Sequence, residues 1–494
     1  MSQIIIFTGI NSGGFIRYIG PYQIAHRLRS VGYSVQVIEF LPYIADRGTE
    51  LFLKILERHV DNNTLWIGFS TTFFHNLRTK KDIAVADSKL RDNSPFTIEE
   101  QMEIKSFVKS KSPSCKFVIG GARAWMKTGG PLIDCYIEGY ADDTVIEFTR
   151  WCENKNPFLQ YQKNKNYGIS VTHDPKASKF DFTNYKYSWH DSDHIFSKEI
   201  LPLEVSRGCI FKCSYCQFPL IGKKKNDYIK NPEILVDQLV ENYGRFGTTS
   251  YIYSDDTHND NVEKLELLYN KVYSKLPFKI NFSCYMRIDL LHAHPHTIDL
   301  LKDSGLKNVY FGIESFNHAA NKTIGKGLPE GKIIETLQKL RERWGRDVRT
   351  EGSFIIGLPN DSRESIISWM DVLEKNSQLL DSIRLHPLHI NTARKTVGPW
   401  SSEFDRNPEK FGYTFNENGW INNTGFTLKE AWELWHHYRP LFGNKVSSFS
   451  INEYLNLGLS YNEVCNLIEE EEFTAKYRPL KFQLFESYIE KILK

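Results

Sequence analysis

The chain has 494 residues, with Lys+Arg 62 against Asp+Glu 60 and a formal net charge of +2. That balance argues against a dedicated nucleic-acid or acidic-membrane binder, which needs a basic excess to displace counterions. A content of 41% hydrophobic and 25% charged residues excludes wholesale disorder. No apolar run approaches the roughly 18 residues needed to cross a bilayer. The apolar start, IIIFTGI, lacks the basic flank and small-residue cleavage site of a signal peptide. A cytoplasmic protein of about three domains is the expectation.

In chain order, apolar runs at 4–7, 34–40, 65–71, 116–119 and 133–137 read as buried strands. Between the first two, residues 22–31 are amphipathic behind Pro21, a helix-starting position. Strands separated by helices imply right-handed crossovers and a doubly wound, Rossmann-like parallel sheet. Ligands of such sheets sit beyond the strands' carboxyl ends. Those ends carry Gly9, Gly13, Gly120, Gly121 and Gly139. Any one of these glycines reads as a tight turn; their recurrence points to an edge shaped for a phosphate or cofactor.

Residues 153–199 are rich in Asn, Lys, Tyr, Ser and Asp without an apolar period and read as a linker. Strands at 201–205, 250–254, 279–284, 308–313, 349–356 and 381–388 then alternate with helices. Asp361 with Glu364 is a candidate capping pair for one of those helices. Six βα units are too few to close an eight-stranded barrel, so an open, partial (β/α)6 TIM-like barrel is expected. Beyond residue 396 the pattern is helical and tryptophan-rich (Trp400, Trp420, Trp432, Trp435) and reads as a cover for the barrel mouth. The expected α/β architecture is thus 1–152, linker 153–199, barrel 200–396 and helical region 397–494.

Three of the eight cysteines, Cys209, Cys213 and Cys216, lie in Arg207-Gly-Cys-Ile-Phe-Lys-Cys-Ser-Tyr-Cys. At that cysteine frequency a chance C-x3-C-x2-C has a probability of about 0.002. Structural zinc takes four closed ligands, and no second pair accompanies these three. A [4Fe–4S] cluster normally takes four thiolates, so three leave one iron open to a substrate or cofactor. The triplet follows the first barrel strand, on the face where such barrels place chemistry. Cys115, Cys135, Cys152 and Cys465 are scattered and read as structural, and Cys284 as a small core residue.

C-x3-C-x-aromatic-C after the first βα strand, with Tyr215 as the aromatic, resembles the signature of the radical S-adenosylmethionine (SAM) superfamily. The resemblance implies a cluster that chelates SAM through its open iron and cleaves it to a 5′-deoxyadenosyl radical. It extends over about 200 residues and implies further SAM-binding positions. Asp255 and Asp256, in Ser254-Asp-Asp-Thr-His-Asn, match polar residues near the SAM amino group; they read equally as caps of the next helix. Arg287, in Cys284-Tyr-Met-Arg-Ile-Asp, matches a polar side chain that approaches SAM. Glu314, in Phe311-Gly-Ile-Glu-Ser, matches the carboxylate expected on the ribose hydroxyls, and Lys326 a lysine common after it. Gly357-Leu-Pro359 matches the loop whose backbone approaches the adenine, and reads otherwise as a plain turn.

The first 150 residues resemble the cobalamin-binding domain of the cobalamin-dependent radical SAM class, on Phe117-Val-Ile-Gly-Gly-Ala and Ile133-Asp-Cys-Tyr-Ile-Glu-Gly-Tyr-Ala-Asp. An Asp-x-His-x-x-Gly loop, which would give cobalt a histidine ligand, is absent. The resemblance implies methylation of an unactivated carbon of a small-molecule or peptide substrate, with a flavodoxin- or ferredoxin-type reductase as electron donor. Without cobalamin, radical rearrangement, cyclisation or oxidation is the expectation. The alternative from another class is a non-catalytic, metal-stabilised binding protein.

Overall fold

The computed structural model describes residues 1–9, 16–70, 96–121, 124, 130–154, 161–164, 168–172, 180–218, 227–390, 401–442, 448–465 and 470–494. Gly13 and Trp400 lie outside them. The first sheet contains β1 (Ile4–Phe7), β2 (Val35–Ile38), β3 (Trp66–Ser70), β4 (Lys116–Gly121), β5 (Cys135–Glu138), β6 (Tyr161–Asn164) and β7 (Gly168–Thr172). Its order is β2-β1-β3-β4-β5-β7-β6, parallel throughout except for the antiparallel β6–β7 pair. All four residues of Ile4–Phe7 are buried, because the strand is covered on both faces. Alternate side chains go to opposite faces: Ile4 and Ile6 pack with Tyr22, Ala25 and Leu28 of helix Ile19–Arg29. Ile5 and Phe7 pack with Phe52, Ile55, Ile104 and Val108, from helices Thr49–His59 and Ile98–Lys111.

Residues 153–199 are not simply a linker. They supply β7, which pairs in parallel with β5, and β6, which closes the sheet edge. The segment that follows is fixed by Arg17, whose Nε meets Glu199 Oε1 at 2.7 Å and whose Nη1 donates to the Asp193 carbonyl at 2.8 Å. Both side chains are buried, so each charge needs the other.

The second sheet contains β8 (Leu201–Leu203), β9 (Ser250–Tyr253), β10 (Asn281–Met286), β11 (Leu306–Glu314), β12 (Arg349–Ile356) and β13 (Ser382–Pro387). They lie in sequence order, all parallel, as an open sheet of six. The expected Asp361–Glu364 cap is replaced by a capping box at Ser362 and Ser365, which starts helix Arg363–Lys375. Asp361 instead turns back to accept the Leu358 N–H at 3.1 Å.

The carboxyl-terminal region packs on both domains. The hairpin of β14 (Thr414–Asn416) and β15 (Gly419–Ile421) stands against the loop after β12. Helix Leu428–Phe442 lies on β13, with Trp435 Nε1 donating to the Leu385 carbonyl at 2.9 Å. At the opposite end of the barrel, Asn456 Oδ1 accepts from Ile200 N at 2.6 Å. The last helix, Glu470–Leu493, returns to the first domain: Phe485, Tyr488, Ile489 and Ile492 join its core. Glu39 N–H donates to Tyr488 Oη there at 2.8 Å. No helix among the described residues is long and apolar enough to cross a membrane.

Candidate active site

The cysteine loop leaves β8 through a backbone strut supplied by β9. Asp255 Oδ1 accepts both Val205 N–H and Ser206 N–H at 2.9 Å, which fixes where the loop begins. Within the loop Cys209 N–H donates to the Phe218 carbonyl at 3.0 Å, and Cys216 N–H to the Cys213 carbonyl at 2.9 Å. Two outside contacts hold its middle: Ser214 N–H donates to Ile324 O, and Phe404 N–H, from the carboxyl-terminal region, to Ser214 O. Burial pushes the Cys216 thiol up to about 12, with Asp256, Cys213 and Cys209 adding to the effect. Burial raises Cys209 as well, against a hydrogen bond from Thr257. Cys213 and Cys209 lie near enough to Cys216 for their charges to bear on it, and three thiols on one loop are the donor chemistry an iron–sulfur cluster takes.

The paired aspartates separate. Neither caps the following helix: Asn261 does that, accepting from Glu263 N at 3.0 Å. Asp255 is the strut just described. Asp256 lies against the cysteine loop, accepting the Gly208 N–H, and its pKa rises to about 8 through burial and the nearby Asp255 and Glu204.

Arg287 follows β10. Its backbone is held by the Asn259 side chain in a reciprocal pair, Arg287 N–H to Oδ1 and Nδ2–H to the Arg287 carbonyl, both 2.9 Å. Its guanidinium forks onto Asp289 (3.0 and 2.5 Å), donates to Gly325 O at 3.1 Å and reaches Cys213 Sγ at 3.1 Å. Phe211, inside the cysteine motif, lies 4.1 Å from it, ring centroid to Cζ.

Glu314 ends β11 with φ +72°, a left-handed conformation uncommon for a residue with a Cβ. Its Oε1 accepts from Lys326 Nζ at 2.9 Å and from Tyr215 Oη at 2.7 Å. Gly312 makes room for this: a Cβ there would stand 2.4 Å from Glu314 Oε1 and 2.8 Å from Lys326 Nζ. Gly357 has φ +97°, and a Cβ on it would fall 2.2 Å from the Trp420 ring. Its carbonyl accepts the Tyr413 hydroxyl at 2.8 Å, and Pro359 beside it is buried. The loop after β12 is therefore shaped by the carboxyl-terminal hairpin.

On the first sheet the glycines differ. A Cβ on Gly9 would meet Phe40 N at 2.6 Å, so packing alone requires that glycine. Gly139 N–H donates to Gly121 O at 3.1 Å, and both have positive φ. Among the described residues, a Cβ on Gly120 would approach only Ile137 O, at 4.0 Å.

Sequence reasoning missed the joint between the sheets. Arg207, two residues before Cys209, is buried and pairs with Glu204 Oε1 and with Asp142 Oδ2 of the first domain, each at 2.7 Å. It also donates to Gln23 Oε1 at 3.3 Å, between the rings of Tyr140 and Phe182, each 4.6 Å away. Its place in the Arg-Gly-Cys run was visible; partners 65 and 184 positions away were not.

Cys209, Cys213, Cys216, Asp256, Arg287, Glu314 and Lys326 thus gather at the carboxyl ends of β8 to β11, with Gly357 and Pro359 after β12. Residues 203–373 match the family model of the Radical SAM superfamily. An anaerobic magnesium-protoporphyrin IX monomethyl ester cyclase of Cereibacter sphaeroides is 24% identical over 297 residues, 55% of this chain and 46% of its own length. A bacteriochlorophyllide d C-8(2)-methyltransferase of Chlorobaculum tepidum is 27% identical over 186 residues, 36% of this chain and 39% of its own. The matches thus span less than half of either relative. Among solved structures, the radical SAM methyltransferase TsrM from Kitasatospora setae, with cobalamin and a [4Fe–4S] cluster bound, superposes at TM-score 0.64 and 14% identity. That match covers 97% of this chain and 100% of TsrM. The cobalamin-dependent radical SAM enzyme OxsB superposes at 0.55 and 12% identity, over 92% of this chain and 66% of its own. Residues 203–373 thus match the radical SAM superfamily, in a chain whose overall fold is that of TsrM and OxsB.

Proposed function

We propose that the protein is a cobalamin-dependent radical SAM methyltransferase that acts on an unactivated carbon of a small molecule or peptide in the cytoplasm. The observation that carries the reading is the whole-chain likeness to TsrM, which takes in the amino-terminal sheet as well as the barrel. Cys209, Cys213 and Cys216 would hold a [4Fe–4S] cluster, which, reduced by a flavodoxin- or ferredoxin-type partner, would supply the electron for reductive cleavage of SAM.

The chain's own residues bind and orient. Asp256, beside Gly208, would meet the SAM amino group; Glu314 would take the ribose hydroxyls, with Lys326 balancing its charge; the Gly357–Pro359 backbone would receive the adenine. Buried opposite charges keep these groups from drifting: an unpaired Glu314 would be costly at 5% exposure. Residues 1–152 would hold cobalamin along the strand ends that carry Gly120, Gly121 and Gly139; of the other two glycines expected there, Gly9 is accounted for by its packing on Phe40 and Gly13 lies outside the described residues. The Arg207–Asp142 pair sets that domain's distance from the cysteine loop.

The test is anaerobic reconstitution with iron, sulfide and hydroxocobalamin, followed by gel filtration and absorption spectra. The reading expects brown protein with about four irons and one cobalamin per chain. Protein that keeps the cluster but no cobalamin supports a second reading, a cobalamin-free radical rearrangement, cyclisation or oxidation; cyclisation is the reaction named for the relative from Cereibacter sphaeroides.

A further inference from the structure

The guanidinium of Arg287 is committed before any cofactor is considered. An arginine side chain carries five N–H donors. One Nε–H and one Nη2–H go to the two oxygens of Asp289, the other Nη2–H goes to Gly325 O, and Nη1 points at Cys213 Sγ, 3.1 Å away. Its plane rests on Phe211, which lies between Cys209 and Cys213 in the same loop. Asn259 pins the backbone from which the side chain departs. The residue is buried, and the Asp289 carboxylate lies against its guanidinium as the paired charge. Loop, β9–β10 connection and the Ile324–Lys326 segment therefore converge on one fixed N–H donor directed at one of the three cysteine sulfurs.

Resting on the functional reading above, we infer that Arg287 donates a hydrogen bond to the cluster's Cys213 ligand and raises the cluster's reduction potential, rather than binding the carboxylate of SAM. Reduction adds one electron to the cluster, and part of the added negative charge falls on its thiolates. A cationic donor at a thiolate stabilises the reduced state more than the oxidised one. Asp289 and Phe211 act as positioning residues for that donor.

The experiment uses the full chain reconstituted anaerobically with iron and sulfide, without SAM, and titrated with dithionite against redox mediators while the reduced cluster is followed by electron paramagnetic resonance. Arg287→Gln removes the charge and the donor. It is expected to keep the iron and sulfide content while lowering the ratio of reduced to oxidised cluster about tenfold at a fixed potential, or about 59 mV for a one-electron couple. Arg287→Lys keeps the charge without the fork and gives a smaller shift in the same direction. SAM affinity, measured by equilibrium dialysis, stays within about twofold of wild type, since four of five N–H donors already have other partners. A ratio unchanged in Arg287→Gln overturns the inference, as does a tenfold loss of SAM affinity with the potential unmoved. Should Arg287→Gln fail to take up a cluster, Asp289→Asn, which leaves the arginine in place but loosens its clamp, carries the same comparison: a lowered ratio supports the inference and an unchanged one ends it. Wild-type protein that binds no cluster removes the functional reading itself, an outcome distinct from a loaded cluster with an unmoved potential.

Discussion

Tyr215, the aromatic residue between Cys213 and Cys216, donates its hydroxyl to Glu314 Oε1 at 2.7 Å, across 99 positions of sequence. The cysteine motif and the end of β11 are thereby one unit, and Lys326 completes it from the other side. Glu314→Gln keeps the shape and removes the charge. A hydrogen bond to a charged group contributes about 1.5 kcal/mol or more, so SAM affinity in the reconstituted protein should fall at least about tenfold with iron content unchanged. Tyr215→Phe should act in the same direction by less. Equal affinity in wild type and Glu314→Gln, by equilibrium dialysis, would remove Glu314 from the SAM site.

Gly357→Ala tests the clasp between barrel and hairpin. A positive φ costs an alanine about 1 kcal/mol, and its Cβ would overlap Trp420 at 2.2 Å. A loss of at least about 2 kcal/mol in urea unfolding is expected. Because the clash is with one ring, Gly357→Ala and Trp420→Leu should be non-additive by about 1 kcal/mol or more. Additive losses would mean that the two do not meet.

Asp142→Ala leaves the buried Arg207 with the Glu204 carboxylate and the Gln23 amide. Removing one partner of a buried ion pair costs about 3–5 kcal/mol when none remains; with Glu204 still present, about 2 kcal/mol is expected. Tryptophan fluorescence during urea unfolding reads it, and a midpoint equal to that of wild type would contradict the buried joint.

Much of this was legible from the chain, and what escaped has physical causes. Ile4–Phe7 is an apolar run covered on both faces, a local signal of chain composition. The cysteine triplet and Glu314 also announce themselves locally, by spacing and by a carboxylate at the end of an apolar strand. The β6–β7 hairpin was hidden because Tyr161–Asn164 is a short polar edge strand with no apolar alternation. Ser362 displaced Asp361 as a helix cap because Asp361 is drawn into the loop after β12, where Asn317 Nδ2 donates to it at 3.0 Å. The docking of Tyr488 beside Glu39 spans 449 positions, and no local pattern reports which surface a terminal helix will find.

Asp361 also gives the fold a pH dependence. Burial lifts its pKa to about 7, although Asn317 and the backbone N–H groups of Leu358 and Gly357 pull the other way. The folded protein thus binds this proton more tightly than the unfolded chain, whose carboxyl has the ordinary value near 3.9. Its contribution is fully present below that value and is lost as the pH rises toward 7, by at most about 1.4 kcal/mol per pH unit. Asp361→Asn cannot titrate, so it should lose less stability than wild type between pH 5 and pH 7. Parallel stability profiles for the two proteins, from urea midpoints, would contradict the buried proton.

The claim at the centre is that Cys209, Cys213 and Cys216 carry a cluster that cleaves SAM. The direct measurement is formation of 5′-deoxyadenosine from SAM and dithionite by the anaerobically reconstituted full chain, beside Cys213→Ala treated identically. The account predicts product from wild type and a fall to the level of the protein-free control in the variant. No product from iron-loaded wild type, or equal product from Cys213→Ala, would contradict it.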